Sequence, residues 1–212
     1  MNIEQYKQQF SEDDAVGWDC IDEAMGKLYP GQEPKHYAPG LYYALGGDNP
    51  LDGISVYESK DHLHFVTYGF SELYYDEEAA GGDHSKYGFE LTFRLKKTGE
   101  ADNHSWACNL LQNIAKYVFS SGRWFEAFHF MPANGPIRLE YNTDITALAF
   151  VSDPELGTIA TPHGEVTFLQ MVGITTKEYE ALMQHPTTEE CEKLIQQLKP
   201  NNELLITDLD RK

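Results

Sequence analysis

HLHFVTYGFSELYYDEEAAGGDHSKYGFELTFRLKK, residues 62 to 97, is the stretch on which the fold turns. Two apolar, aromatic runs, Leu63 to Phe70 and Phe89 to Leu95, flank an acidic loop that carries Gly81 and Gly82. In the second run Phe89, Leu91, Phe93 and Leu95 alternate with Glu90, Thr92, Arg94 and Lys96. A period of two predicts a strand with one face buried and the other in water. The connection is long for a plain hairpin, and long ordered connections tend to carry function.

Upstream, residues 11–29 predict a helix. Ser11 can cap it, Asp13 and Asp14 suit its positive end, and Trp18, Ile21, Met25 and Leu28 form one apolar stripe. Pro30-Gly31 stops it. Leu41 to Leu45 and Ile54 to Glu58 read as short strands, separated by the turns Gly46 to Pro50 and Asp52-Gly53.

Downstream, Thr98 to His104 is a polar loop. Ser105 caps a helix from Trp106 to Ser121 that ends at Gly122. Arg123 to Met131 is aromatic and strand-like, and Thr146 to Val151 is a short buried strand. Thr158 to Thr161 pairs with Val166 to Ile174 as a hairpin. Thr176 caps a helix, and Thr187 with Glu190 makes a capping box for a last one bearing Cys191, Leu194, Ile195 and Leu198. Leu204 to Thr207 reads as a final strand. With no repeat and no linker, residues 1–212 predict a single α+β domain, a mixed, twisted sheet with helices packed on it.

The chain is 41% hydrophobic and 13% aromatic, enough to build a core. Its formal net charge of -18 argues against a nucleic-acid partner, which needs clustered Lys and Arg, and would speed association with basic proteins. The opening MNIEQYKQQFSEDD lacks the basic and apolar regions of a signal peptide, and no run approaches the roughly 20 apolar residues of a membrane span. Together with Cys20, Cys108 and Cys191 as unpaired thiols, this predicts a cytoplasmic protein without a membrane partner.

No reaction signature stands out. There is no GxSxG, and neither Gly46-Gly47 nor Gly81-Gly82 leads into GK[ST], so no catalytic residue and no cofactor are expected. Cys108 and His104 read as helix packing. His62 and His64 form an HxH pair that could ligate zinc with a third group from His84, Asp83 or Glu58, or could simply be two polar-face histidines. Asp76, Glu77, Glu78 and Asp83 make the long loop acidic, either solvated or able to capture a basic side chain. Of the aromatics nearby, Tyr42, Tyr43, Tyr57, Tyr68, Phe70, Tyr74, Tyr75 and Tyr87, most read as core. Any exposed tyrosine beside a sheet edge suits peptide recognition.

HLHFVTYGFSELYYDEE, SKYGFELTFRLKK, LLQNIAKYVFSSG, TPHGEVTFLQMVGIT and LLITDL, in that order, resemble the N-terminal domain of the Suppressor of fused family over about residues 30–210. The whole looks like a prokaryotic, single-domain member. The resemblance implies a mixed α/β domain with no known enzymatic activity. In the animal form this domain and a C-terminal one clamp a short peptide of a Gli transcription factor. The peptide adds as a strand, and a Tyr and an Asp hold its histidine. Tyr74 matches that tyrosine and Asp83 the aspartate, while Phe168, Leu169, Leu205 and Ile206 match strands near the clamp.

The sequence stops at Lys212, before the second half of such a clamp, so Gli binding is not carried over. The expectation is a non-catalytic interaction module. It binds an unidentified protein or peptide of basic character at a sheet edge, beside an acidic, tyrosine-bearing pocket. An immunity protein neutralising a basic bacterial toxin is the second expectation, a metal-dependent enzyme using His62 and His64 a third, and a purely oligomer-forming role a fourth.

Overall fold

The computed structural model describes residues 1–98 and 104–212, so the centre of the expected Thr98 to His104 loop lies outside the described residues. In chain order the helices are α1 (Ile3–Gln9), α2 (Val16–Leu28), α3 (Ser105–Ser121), α4 (Thr176–Leu182) and α5 (Thr188–Leu198). The strands are β1 (Lys35–Tyr37), β2 (Gly53–Glu58), β3 (His62–Tyr68), β4 (His84–Lys96), β5 (Phe130–Pro132), β6 (Ile145–Ser152), β7 (Thr158–Thr161) and β8 (Gly164–Thr175). One sheet runs β1-β2-β3-β4-β8-β6-β5, with β7 on the free part of β8. β4 and β8 are parallel and every other pair is antiparallel, so the sheet is mixed.

The two runs of the deciding stretch pair as expected, from His62 opposite Lys96 to Val66 opposite Thr92. The apolar alternation of β4 also holds. Phe89, Leu91, Phe93 and Leu95 pack with Phe65, Phe150 and Met171 under Ala107, Leu111, Ile114 and Val118 of α3. The expectation of a wet opposite face fails: Glu90, Thr92 and Arg94 are each 0% exposed. The reason is a second layer. α2 covers one end of that face, with Ile21 and Met25 on Tyr57, Val66, Tyr68 and Phe168. At the other end Leu182 of α4 and Cys191 and Ile195 of α5 cover Ala147, Ala149, Val172 and Ile174. Both faces of the central strands are dry, and polar side chains fill the seam between the two helical covers.

Several boundaries are corrected. Leu41 to Leu45 is no strand: Tyr43–Leu45 makes one exposed 3-10 turn closed by Gly46 at φ 91°, and Tyr42 keeps a lone bridge to Asn49. Of Arg123 to Met131 only the end joins the sheet, because Phe128 turns the chain at φ 67°. Leu204 to Thr207 contributes one bridge, Thr207 to Leu95, since Leu205 at φ 52° breaks the extended run. α2 starts at Val16, because the Ser11 amide and hydroxyl both donate to Asp14 and make a separate turn. α4 is capped by Thr175 with Glu178, one residue before the expected Thr176. At α5 only the Thr187 half of the capping box forms. α1, boxed by Asn2 and Gln5, was unanticipated; seven residues are too few for a periodic signal.

The cysteines are unpaired, with Cys108 and Cys191 buried and Cys20 only partly so. Among the described residues no helix is long and apolar enough to cross a membrane.

Candidate functional site

The site is built on the chain leaving β3. The β3–β4 ladder stops at Val66 and Thr92, and side chains take over from there. Thr67 Oγ1 accepts the Leu91 amide at 2.8 Å and donates to Glu90 Oε2 at 2.6 Å. Glu90 Oε1 accepts the Gly69 amide at 3.0 Å, the Ser71 amide at 2.9 Å and the Ser71 hydroxyl at 2.7 Å. Burial pushes the Glu90 carboxyl up from its ordinary value, against this set of donors.

Each following residue is held as well. The Glu72 amide donates to Ser85 Oγ at 2.8 Å. The Leu73 carbonyl accepts the Gly17 and Trp18 amides at 2.9 and 3.2 Å, capping an α2 N-terminus that has no side-chain cap. Only glycine permits that approach, since a Cβ on Gly17 would stand 1.9 Å from the Glu72 oxygen. The Tyr75 amide donates to the Asp14 carbonyl at 3.1 Å, and the Asp76 amide to Tyr6 Oη at 3.1 Å. Buried Tyr6 of α1 lies 2.6 Å from His163 Nε2, while His163 Nδ1 faces the Glu72 carbonyl at 3.2 Å. A neutral His163 with its proton on Nδ1 satisfies the whole chain, and burial lowers its pKa accordingly.

Tyr74 is therefore presented by fixed backbone on both sides, with its side chain 45% exposed. It borders a cleft of about 200 Å³ lined by Tyr43, Pro50, Asp52, Glu72, Lys86 and Phe119 among others. The Tyr74 hydroxyl faces the Asp52 carboxylate across the cleft. Burial, with the Asp52 charge beside it, pushes the Tyr74 hydroxyl up to about 12. Burial also raises Asp52, against the Tyr74 hydroxyl and the Lys86 charge. Lys86 Nζ donates to the Gly69 carbonyl at 2.8 Å and sits 5.0 Å over the Phe119 ring.

Exposed Leu41, Tyr42, Tyr43 and Leu45 belong to the neighbouring segment. Edge strand β1 ends at Tyr37 opposite Ile54, close in sequence to Asp52. An aromatic rim, a phenol–carboxylate pair and a nearby sheet edge can grip a side chain that has an apolar body and an N–H tip.

The other expected residues fall elsewhere. Asp83 is exposed on the turn before β4, where its carbonyl accepts the Glu165 amide; the acid that meets Tyr74 is Asp52. Phe168, Leu169 and Leu205, matched by the resemblance to strands near a clamp, lie in the core at 0%, 2% and 1% exposure, because β8 is central and Leu205 packs under α5. Ile206 is half-buried, with its amide and carbonyl tied to the Asn202 side chain. In the acidic loop Glu77 is already engaged by Lys7 at 2.5 Å.

His62 and His64 are buried, not polar-face, residues. His62 Nδ1 lies 2.8 Å from Asp61. His64 Nδ1 lies 3.0 Å from Tyr29 Oη, and its Nε2 3.3 Å from Asp153 Oδ2. Arg94 donates to both Asp153 oxygens, at 2.6 and 3.1 Å, and to Glu155 at 2.9 Å, with Gln170 closing the ring. A guanidinium thus already holds the carboxylate a metal would need. Among the described residues no group of three or more His, Cys, Asp or Glu gathers as a metal site. Cys108 is buried with its thiol pushed up to about 11 by desolvation, which leaves it protonated rather than nucleophilic.

Sequence reasoning missed Asp52, read as part of a turn, and Lys86. The proximity of both to Tyr74 is purely tertiary.

Comparison with known proteins gives a consistent match. The model of the family described as Suppressor of fused protein (SUFU) matches residues 47–212. The Suppressor of fused homologs of Homo sapiens and Mus musculus are each 37% identical over 172 residues, covering 74% of this chain and 35% of theirs. The chain thus spans about a third of the length of the curated relatives it matches. A Sufu–Fu complex crystal structure superposes with TM-score 0.84 at 30% identity, covering 93% of this chain and 91% of that one. Drosophila Suppressor of Fused does so with TM-score 0.84 at 30% identity, over 95% and 52%. A SUFU homolog from Neisseria gonorrhoeae, at 12% identity and TM-score 0.63 over 92% and 95%, shares the fold.

Proposed function

The chain belongs to the Suppressor of fused family, and from that premise we propose that it is a non-catalytic protein-binding module whose contact site is the Tyr74 cleft. A partner segment lies along the β1 edge and places one side chain in the cleft. Tyr74 packs on it, and Asp52 accepts its N–H. Asp83, exposed and engaged through its backbone carbonyl, is a second acid for a basic partner. Phe168, Leu169, Leu205 and Ile206 serve by holding the frame. The observation that carries this reading is a half-exposed tyrosine, beside a partly buried acid, on a loop fixed residue by residue. The name of one structural relative, a Sufu–Fu complex, says that that protein assembles with another protein. The unpaired thiols suit a cytoplasmic setting.

The test is affinity capture from the host lysate with the wild type beside Tyr74→Ala/Asp52→Asn, and with Asp83→Ala separately. We expect the double substitution to lose the principal captured protein with its circular dichroism spectrum unchanged. An identical set of captured proteins would move the binding site elsewhere. The net charge of -18 favours one special case, an immunity protein holding a basic toxin. A captured basic toxin whose activity is blocked on binding would establish it, and an acidic or neutral principal partner would remove it.

A further inference from the structure

Three strands of the sheet have an unpaired side: β1 and β5, which are outermost, and β7, which pairs only with β8. An open edge invites a further strand, and chains usually guard it with a charge or a proline. β1 begins with Lys35, whose ammonium donates to Glu58 at 3.2 Å. β5 ends in Pro132, which has no N–H to offer. β7, Thr158-Ile159-Ala160-Thr161, has neither guard, and three of its four residues are β-branched, the kind that pairs readily. The register shows which of its groups are free. The Phe168 amide donates to the Gly157 carbonyl at 2.8 Å. Bonded pairs alternate along an antiparallel ladder, so Ile159 with Val166 and Thr161 with Gly164 make the next bonds. The amides and carbonyls of Thr158 and Ala160 therefore point away from β8. Both residues are exposed, and no other group among the described residues takes up those amides and carbonyls.

The two faces of this hairpin differ. On one, Ile159 packs against the cluster under α2. On the other, Thr158 Oγ1 lies 3.0 Å from Thr167 Oγ1, so Ala160 shares that face with its cross-strand partner Glu165. Residues 153–170 contain Asp153, Glu155 and Glu165 and no Lys or Arg. Arg94 holds Asp153 and Glu155. Glu165 is exposed and has no ion-pair partner among the described residues; His84, opposite it on β4, makes no ion pair with it. Exposed Asp83 adjoins it, its carbonyl accepting the Glu165 amide at 3.0 Å. Neighbouring strands lie about 5 Å apart, so a side chain opposite Ala160 on an added strand has to span roughly 10 Å to Glu165. Lys and Arg reach that far, and the Ala160 methyl leaves room for their stems.

We infer that the open side of β7 is a second docking edge, for a short extended segment of a protein partner in which a Lys or Arg, laid over Ala160 toward Glu165, adjoins a β-branched residue beside Ile159. The main-chain bonds at Thr158 and Ala160 supply the grip, and the pair with Glu165 supplies the selection.

The test is a phage-displayed random peptide library, panned on the full chain carrying Tyr74→Ala/Asp52→Asn so that the first cleft is silent. The expected binders are enriched in Lys or Arg adjoining Val, Ile or Thr. A synthesised binder protects the Thr158 and Ala160 amides from hydrogen exchange. Ala160→Pro removes an outward amide without touching a ladder bond, and lowers affinity about tenfold or more. Glu165→Lys, at an exposed residue, weakens the same binders and selects acidic segments from the same library. Should Ala160→Pro unfold, that reversal and the exchange pattern decide. Acidic binders on the chain with Glu165 intact, binders indifferent to both substitutions, exchange protection elsewhere, or no binder at all would overturn the inference. So would a concentration-dependent dimer in light scattering that Ala160→Pro dissolves, which would give the edge to a second copy.

Discussion

The two faces of β4 bury the same length of chain by opposite means. Toward α3, Phe89, Leu91, Phe93 and Leu95 exclude water with apolar surface. Toward α2 and the β6–β7 turn, Glu90 is wrapped by donors, and Thr92 and Arg94 converge on Asp153. The first face gains from each methylene and tolerates loss in proportion. The second is neutral at best when complete, and costly when any one member is missing. Burial alone therefore does not say what a residue contributes; its partners do.

The largest effect follows from breaking the polar face one-sidedly. Asp153→Ala strands Arg94 in a dry seam with only Glu155 and Gln170, and should cost about 3–5 kcal/mol in urea denaturation. Phe93→Ala, on the other face, should cost a similar ~3–5 kcal/mol through its cavity. The double change Arg94→Met/Asp153→Leu separates the two cases. It should recover most of the loss, because it removes both charges, whereas a second truncation beside Phe93 should add to the first. A double variant as unstable as Asp153→Ala would show that the network does more than balance its own desolvation.

The next effect is in pH. Burial lowers His64 from its ordinary 6.5 to about 4, with Asp153 opposing and Arg94 assisting. The folded state thus holds His64 neutral and the unfolded chain protonates first. Stability is fully present above about 6.5 and is lost as pH falls toward 4. Burial would raise Asp153, but His64 and Arg94 hold it far below the carboxylate range, so its contribution falls away only below about 3.8. Denaturation midpoints from pH 7 to 4 should decline in the wild type and less steeply in His64→Gln. His163 and His36, both also lowered by burial, add to this slope, and Glu90 and Asp52, raised by burial, oppose it. In Phe93→Ala the slope should match wild type, since the substitution leaves His64, His163 and His36 with their partners. A His64→Gln slope equal to wild type would sink the assignment.

The same contrast explains what the sequence could tell. Phe89 to Leu95 announces its face, because apolar alternation needs no partner to be read. Glu90-Thr92-Arg94 looks like a solvent face until Asp153, 59 residues beyond Arg94, is brought beneath it. Asp153-Pro154 carries only a turn signal by itself. Tyr74 was legible as a tyrosine in a polar loop and through its family resemblance. Asp52, its partner in the cleft, was not, since no local pattern links residues 52 and 74. Phe168 and Leu169 are apolar residues of a run whose own chemistry says core. Resemblance alone had set them near a clamp. The turn at Phe128 was invisible because an aromatic stretch with weak periodicity reads as an indifferent strand.

The smallest stability effect should come from the site itself. Tyr74 is half-exposed, and its hydroxyl stands beside the Asp52 carboxylate. The loop that carries it is fixed by the backbone bonds of Gly69, Ser71, Glu72, Leu73, Tyr75 and Asp76, which Tyr74→Ala leaves in place. The substitution should therefore shift the denaturation midpoint by no more than about 0.5 kcal/mol, as for an ordinary surface residue. Asp52→Asn should do little more, because it keeps the shape and sheds a charge that burial already penalises. A loss above about 1.5 kcal/mol for Tyr74→Ala would instead make the tyrosine a fastener of the loop, on the scale of a buried contact. Together with unimpaired capture, that result would place the cleft with the interior faces of the sheet and not with the surface that meets a partner.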